Sequence, residues 1–289
     1  ENMKKRDSSP KAARIATASL SVLLAVAIGT TCGATSYRSL ICSTIGGTMY
    51  KTIDKANAEP LQASTDNGMS LDEWKKAADQ LVEDVTSEGI VLLKNQNQTL
   101  PLAKGSKVTL FGRSSVDLVL GGTGAGNINT DYVVDLKSAM EDDGRFTINS
   151  TIWDFYKTYD GKDGYVRSNG GYTAEVPVSE YTDKVKQSYI DYNDAAIVVF
   201  SRVGGEASDM PTGAFGDGEK YLALQPAEEA LLKEIKNSGA FDKIIAVINT
   251  SNAMELSWVD QEEYGIDACL WIGGVGQSGS RAVAKVLDG

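Results

Sequence analysis

The 289-residue chain contains no histidine. Without an imidazole, it cannot by itself build a Ser-His-Asp triad, a Cys-His dyad, a histidine-ligated zinc site or a histidine acid–base pair. Cysteine is almost as scarce. Cys32, Cys42 and Cys269 form no CxxC pair, so neither a disulfide framework nor a thiolate zinc site is indicated. Cys269 lies in an apolar run and reads as a small buried hydrophobe. Positive charge is in deficit, with 28 Lys and Arg against 39 Asp and Glu and a formal net charge of −11. Nucleic acid is therefore not an expected partner, since binding it needs a basic face that displaces counterions from phosphates. Internal repeats and low-complexity segments are absent too. What remains for chemistry is carboxylates, hydroxyls, lysine and backbone dipoles; neither a metal nor a cofactor is expected.

Charge is also missing locally. Lys4, Lys5, Arg6, Lys11 and Arg14 precede an uncharged stretch from Ile15 to Tyr37, which is 23 residues. A helix needs about 20 apolar residues to cross a bilayer. The basic flank is N-terminal, which places the rest of the chain outside the cytoplasm. A signal peptide cut near Cys32-Gly-Ala34 and a retained signal anchor both fit the pattern. The length of the run favours the anchor, and so a single-pass cell-membrane protein, with secretion as the alternative. Residues 1–37 read as this segment, 38–69 as a stalk of small and polar residues, and 70–289 as the folded domain. The start at Glu1 and the stop directly after a helix at Gly289 suggest a piece of a longer polypeptide.

Within the domain, Ser70-Leu-Asp-Glu73 is a capping box that opens a helix to about Glu88. Leu71, Trp74, Ala78, Leu81 and Val85 form its apolar side at helical spacing. Apolar runs follow at 89–95, 107–112, 146–149, 194–201, 243–249 and 268–273. A helix is expected to carry Val133, Leu136 and Met140 on one face, and an exposed amphipathic helix to span Ser179–Tyr192. Pro226 opens another helix, closed by Gly239, and a last one ends at Leu287. The segment Tyr156–Thr173 reads as a loop insertion. Continuous apolar strands alternating with helices define an α/β fold: a three-layer α/β/α sandwich with a mostly parallel sheet. Of the four tryptophans, which are able to stack on sugar, most read as core.

Three loops leave strand ends, where ligands bind in such sheets. Gly121-Gly-Thr-Gly-Ala-Gly-Asn127 superficially resembles a dinucleotide loop. It lacks the third glycine of the fingerprint and starts nine residues after Gly112. Ser201-Arg-Val-Gly-Gly-Glu-Ala-Ser-Asp209 carries two carboxylates, Glu206 and Asp209. If a partner domain desolvates such a carboxyl, its pKa rises and it can donate a proton to a leaving oxygen. Gly273-Gly-Val-Gly-Gln-Ser-Gly279 offers free N–H groups at a helix start. Each of the three also reads plainly, as a tight turn or a solvated loop.

Taken in order, these motifs resemble glycoside hydrolase family 3. Glu88-Gly-Ile-Val-Leu-Leu-Lys-Asn95, Leu100-Pro-Leu102 and Lys107-Val-Thr-Leu-Phe-Gly112 are similar to the opening of its α/β-sandwich domain. Gly205-Glu-Ala-Ser-Asp209 is similar to its acid loop, and the match continues through Leu222–Ile235, Ile244–Asn249 and Ile272–Gly289. The resemblance implies retaining hydrolysis of β-linked glycosides from the non-reducing end, β-glucosidase-like. Two carboxyls about 5–5.5 Å apart do that work. In the family a barrel domain supplies the Asp nucleophile and the sandwich supplies the acid/base Glu, which by motif position is Glu206. Asp209 is then a loop organiser or sugar ligand, and Met210 stands where the family carries Arg. The expected partners are a β-linked oligosaccharide or glycoside, a downstream barrel of the same polypeptide, and the membrane through the N-terminal helix. Without the barrel's nucleophile the chain alone is expected to be inactive. Two other readings stand beside this one: a non-catalytic exported module that binds carbohydrate or a surface partner, and a nucleotide-dependent enzyme using Gly121–Gly126.

Overall fold

The computed structural model describes residues 10–45, 68–122, 124–126, 128–159, 174–206, 214–215 and 219–289. They fall into two compact units divided at Gly68. In the first unit, α1 (Pro10–Ser36) is exposed on every side and, by length and composition, long and apolar enough to cross a membrane. Its hydroxyls are satisfied inside the helix. Thr17, Ser21, Thr30, Thr31, Thr35 and Ser36 each donate to a carbonyl one turn back. A polar side chain bonded in this way is compatible with an apolar solvent. The segment read as a stalk begins with a second helix, α2 (Arg38–Ile45); residues 46–67 lie outside the described residues.

The second unit opens with α3 (Leu71–Gly89), held by the Ser70/Glu73 capping box. A six-stranded sheet follows, built from β1 (Val91–Asn95), β2 (Ser106–Phe111), β3 (Phe146–Ile148), β4 (Ala195–Ser201), β7 (Ile244–Asn249) and β8 (Ala268–Trp271). A separate two-stranded ribbon pairs β5 (Ala214–Phe215) with β6 (Glu219–Lys220). The sheet order is β1-β8-β7-β4-β2-β3. Only β1 is antiparallel to its neighbour. β4 and β7 are buried along their whole length, as apolar runs covered on both faces must be. Residues of α4 (Leu136–Glu141) and α8 (Ser280–Asp288) join the core on one face. Those of α6 (Asp183–Gln187) and α7 (Pro226–Ser238) join it on the other. α5 (Ser150–Thr158) gives Trp153 to the first core and Ile152 and Tyr156 to the second.

Numbered by chain order, the five parallel strands run 2-1-3-4-5 across the sheet. That is a doubly wound order, whose switch point falls between the first and third strands. Here those are β2 and β4.

Several expectations need correction. The apolar stripe of α3 does not face the core: Leu71, Trp74, Leu81 and Val85 are each more than half exposed. The helix is rolled by about one residue's 100°, so that Glu83 and Thr86 are buried instead. Glu83 pairs with Lys285, and Ser278 Oγ donates to the Asp79 carbonyl at 3.0 Å. Gly279 permits the approach, because a Cβ there would lie 2.4 Å from Thr86 Oγ1. The start of the expected insertion is the end of α5, which Asn149 caps through Thr151 N and Ile152 N. The helix expected over Ser179–Tyr192 is broken into two 3₁₀ turns flanking the five-residue α6, and Tyr181, Val185 and Tyr189 are buried. Val133 precedes α4 rather than lying on it.

Candidate functional site

The carboxyl ends of the parallel strands are tied to one another by short polar contacts. At the end of β2, Gly112 takes φ +86°, and a Cβ there would meet Val199 O at 2.4 Å. Only glycine lets the two strands run this close. Two residues on, Ser114 Oγ and Ser201 Oγ lie 2.7 Å apart, joining the ends of β2 and β4. Asn249, at the end of β7 and fully buried, clips a third strand end to the others. Its Oδ1 accepts from Val119 N at 2.5 Å, and its Nδ2 donates to Val119 O at 3.0 Å and Gly273 O at 2.7 Å. Gly276 N donates to Leu120 O at 2.7 Å.

These ties bring the three loops singled out in the sequence to one rim. Gly274 approaches so closely that a Cβ would lie 3.4 Å from Gly121 Cα. Ala125 N donates to Glu206 Oε2 at 2.7 Å. Gly124 takes φ +65°, and its missing side chain leaves the room that Glu206 fills: a Cβ would be 2.8 Å from Oε2. The Gly121–Gly126 loop therefore holds the carboxyl of the acidic loop. Glu206 is exposed on this rim, at the switch point between β2 and β4. Asp209 and Met210 lie outside the described residues. Among the described residues no group of three His, Cys, Asp or Glu side chains is placed to hold a metal.

The stretch from Val203 to Tyr221, which carries Glu206, is stapled at its base. Arg202, its side chain fully buried, donates from Nη1 and Nη2 to Glu228 Oε1 and Oε2 at 2.8 and 2.7 Å. The same guanidinium donates to the carbonyls of Ser201 (2.8 Å), Tyr221 (2.6 Å) and Ala223 (2.5 Å). Tyr221 completes the closure, its hydroxyl accepting from Val203 N and donating to Val203 O, both at 2.8 Å. Asn252 Nδ2 donates to Gly204 O at 3.2 Å from the loop after β7. Arg202, Glu228, Tyr221 and Asn249 were not among the sequence candidates. The available signals were a charge directly following an all-apolar strand, and a polar residue closing another.

A second buried carboxyl lies behind the rim. Glu175 accepts from Arg113 N and Val176 N, both at 2.9 Å. Burial pushes its pKa up to about 8, against the opposing pull of those two N–H groups. Tyr156 and Tyr181, which share a short hydroxyl contact, are buried beside it and held well above the usual phenol range by desolvation.

A doubly wound α/β domain with an exposed acid on its switch-point rim is the class this geometry defines. Residues 90–289 match the glycosyl hydrolase family 3 C-terminal domain. The chain belongs to that family. It is 27% identical over 230 residues to beta-glucosidase A of Butyrivibrio fibrisolvens, covering 71% of this chain and 26% of that protein. It is 28% identical over 223 residues to a beta-glucosidase of Ruminococcus albus, covering 75% and 22%. The crystal structure of a beta-glucosidase from Paenibacillus barengoltzii superposes with a TM-score of 0.60 at 26% identity, over 73% of this chain and 23% of that one. The chain thus spans about a quarter of the length of these relatives.

Proposed function

We propose that the chain is the acid-supplying sandwich of a retaining β-glucosidase-like glycosidase, working on β-linked glycosides with a barrel domain that carries the nucleophile. The observation that carries this reading is the position of Glu206, an exposed carboxyl on the switch-point rim of a family 3 domain, gripped on one oxygen by Ala125 N–H. In this mechanism the barrel covers the rim and desolvates Glu206, which then protonates the departing glycosidic oxygen while the barrel's Asp attacks the anomeric carbon. Water enters next, Glu206 accepts its proton, and the glycosyl–enzyme bond is released. The glycine at 124 and the amide at 125 fix the carboxyl's position before the substrate arrives. Asp209 is proposed as a sugar ligand or loop organiser.

The apolar α1 fits a signal or an anchor; retention in the cell membrane, with the sandwich on the outer side, is the proposed arrangement. The test is to express the coding sequence read past Gly289 and assay aryl β-glycosides with and without Glu206→Gln. The expected result is turnover that falls by orders of magnitude in the variant and is partly restored for substrates whose leaving group needs no proton. Unchanged turnover would remove Glu206 from the reaction. A stop codon after Gly289 would favour a non-catalytic surface module instead.

A further inference from the structure

The apolar stripe of α3 serves neither the core nor the proposed reaction. Leu71, Trp74, Ala78, Leu81 and Val85 follow one another at gaps of three, four, three and four residues. The four large side chains are each more than half exposed, and Ala78 is partly exposed. A helix that faces a globular core carries a wider apolar band; strict alternation of three and four makes the narrow seam on which a second helix lies, knobs into holes. The seam is about 21 Å long, and the small Ala78 at its centre lets a partner's backbone come close. One border runs along the α8 contact, where Val82 meets Gly276 and Thr86 meets Gly279. Lys75, on that side, is turned to the Tyr132 ring at 5.5 Å. The other border is a row of exposed acids, Glu73, Asp84 and Glu88, which at 100° per residue fall within about 60° of one another beside the stripe. Glu73 is held by the capping box, and Asp84 Oδ1 accepts from Gln80 Nε2 at 2.8 Å.

We propose that α3 is the docking seam for one helix of a partner protein, amphipathic, with an apolar a/d face and Lys or Arg along the flank that meets the acid row. The spacing selects a helix as the occupant, and the sign of the row selects its charge. A second copy of this chain brings the same acids: antiparallel pairing about Ala78 sets Asp84 of each helix level with Glu73 of the other, and like charges facing across an interface are disfavoured. An anionic lipid surface meets the same repulsion. This inference goes beyond the Glu206 reading and does not depend on it.

Trp74 is the reporter, 56% exposed where Trp153 and Trp258 are 5% and 4% exposed. The test holds the full chain in phosphatidylcholine nanodiscs and adds a synthetic helix of about three heptads, with Leu at a and d and Lys at e and g, or its twin with Glu for Lys. Empty nanodiscs and W74F are the blanks. The Lys helix should shift Trp74 emission to the blue saturably, one helix per chain, and the Glu helix should bind at least about tenfold more weakly. L81A should weaken the Lys helix about tenfold to hundredfold, the worth of one buried leucine. It should move the melting temperature by no more than about 2 °C, because Leu81 is exposed in the free chain; a merely structural role would not split the two readouts. D84K/E88K should reverse the preference between the two helices. D191K/E262K, an equal change of charge at exposed sites off α3, should leave it unaltered. No saturable shift, equal binding of the two helices, or the same reversal in D191K/E262K overturns the proposal. Trp74 emission that is already blue-shifted with no helix added also overturns it. Dependence on the number of chains per disc then assigns the seam to a second copy, and quenching by brominated lipid assigns it to the bilayer.

Discussion

Replacing Arg202 by Met keeps the length of the stem and removes the guanidinium. The Glu228 carboxylate is then left with Gln225 N, at 2.9 Å, among its buried partners, and the carbonyls of Ser201, Tyr221 and Ala223 lose a donor. Breaking a buried pair on one side costs about 3–5 kcal/mol, because a charge stays behind uncompensated. For a unit of this size each kcal/mol shifts the melting temperature by about 2–4 °C, so Arg202→Met should melt about 6–20 °C lower. Glu228→Gln should cost a similar amount. The double variant should cost less than the sum of the two, by about 0.5–3 kcal/mol, since neither charge then remains. Thermal unfolding followed by near-ultraviolet circular dichroism, with all four proteins side by side, reads this directly. A drop of under about 2 °C in the single variant, or strict additivity in the double, would refute the view that this pair is what closes the loop.

Three further outcomes follow from the geometry. Gly124→Ala puts a methyl where the Glu206 carboxyl sits, in a backbone region L-residues avoid; the Ala125 amide, which donates to Glu206 Oε2 in the parent, should lose that bond and exchange its proton with solvent faster by amide hydrogen exchange. Glu175 binds its proton more tightly folded than unfolded, so stability should fall as pH rises from about 4.5 to about 8 and level off above; denaturant midpoints for Glu175→Gln should lose that part of the slope. Asn249→Ala leaves Val119 N, Val119 O and Gly273 O without their side-chain partner, which should cost at least about 3 kcal/mol by urea unfolding.

Much of the sandwich is legible in the sequence because its strands are buried on both faces. Runs such as Ala195–Ser201 and Ile244–Asn249 have no polar side to hide, and helices beginning at Ser70 and Pro226 announce themselves by their caps. The roll of α3 was not legible. Its apolar stripe obeys helical spacing, yet the contact with α8 is decided by Thr86 meeting Gly279, a matter of close approach that periodicity does not encode. The break around α6 escaped for a similar reason, since Tyr181 and Tyr189 are drawn into an aromatic cluster with Phe155 and Phe111 that forms only once the sheet exists. Glu206 was singled out by motif position. Its contact with Ala125 joins residues 81 apart and needed the strand order. Arg202 and Asn249 were passed over because a single polar residue at a strand end looks like ordinary punctuation until its partners are known.

The closure made by Arg202, Glu228 and Tyr221 separates the anchorage of the acidic loop from its content. With both ends pinned to the sheet, each doubling of the connecting length adds only about 0.6 kcal/mol of closure entropy. Substitutions or insertions between Val203 and Tyr221 can therefore reshape the rim while the scaffold beneath keeps its stability. Under the proposed function, new sugar preferences would be explored there by changing the tip alone, with the buried staple as the part to leave untouched.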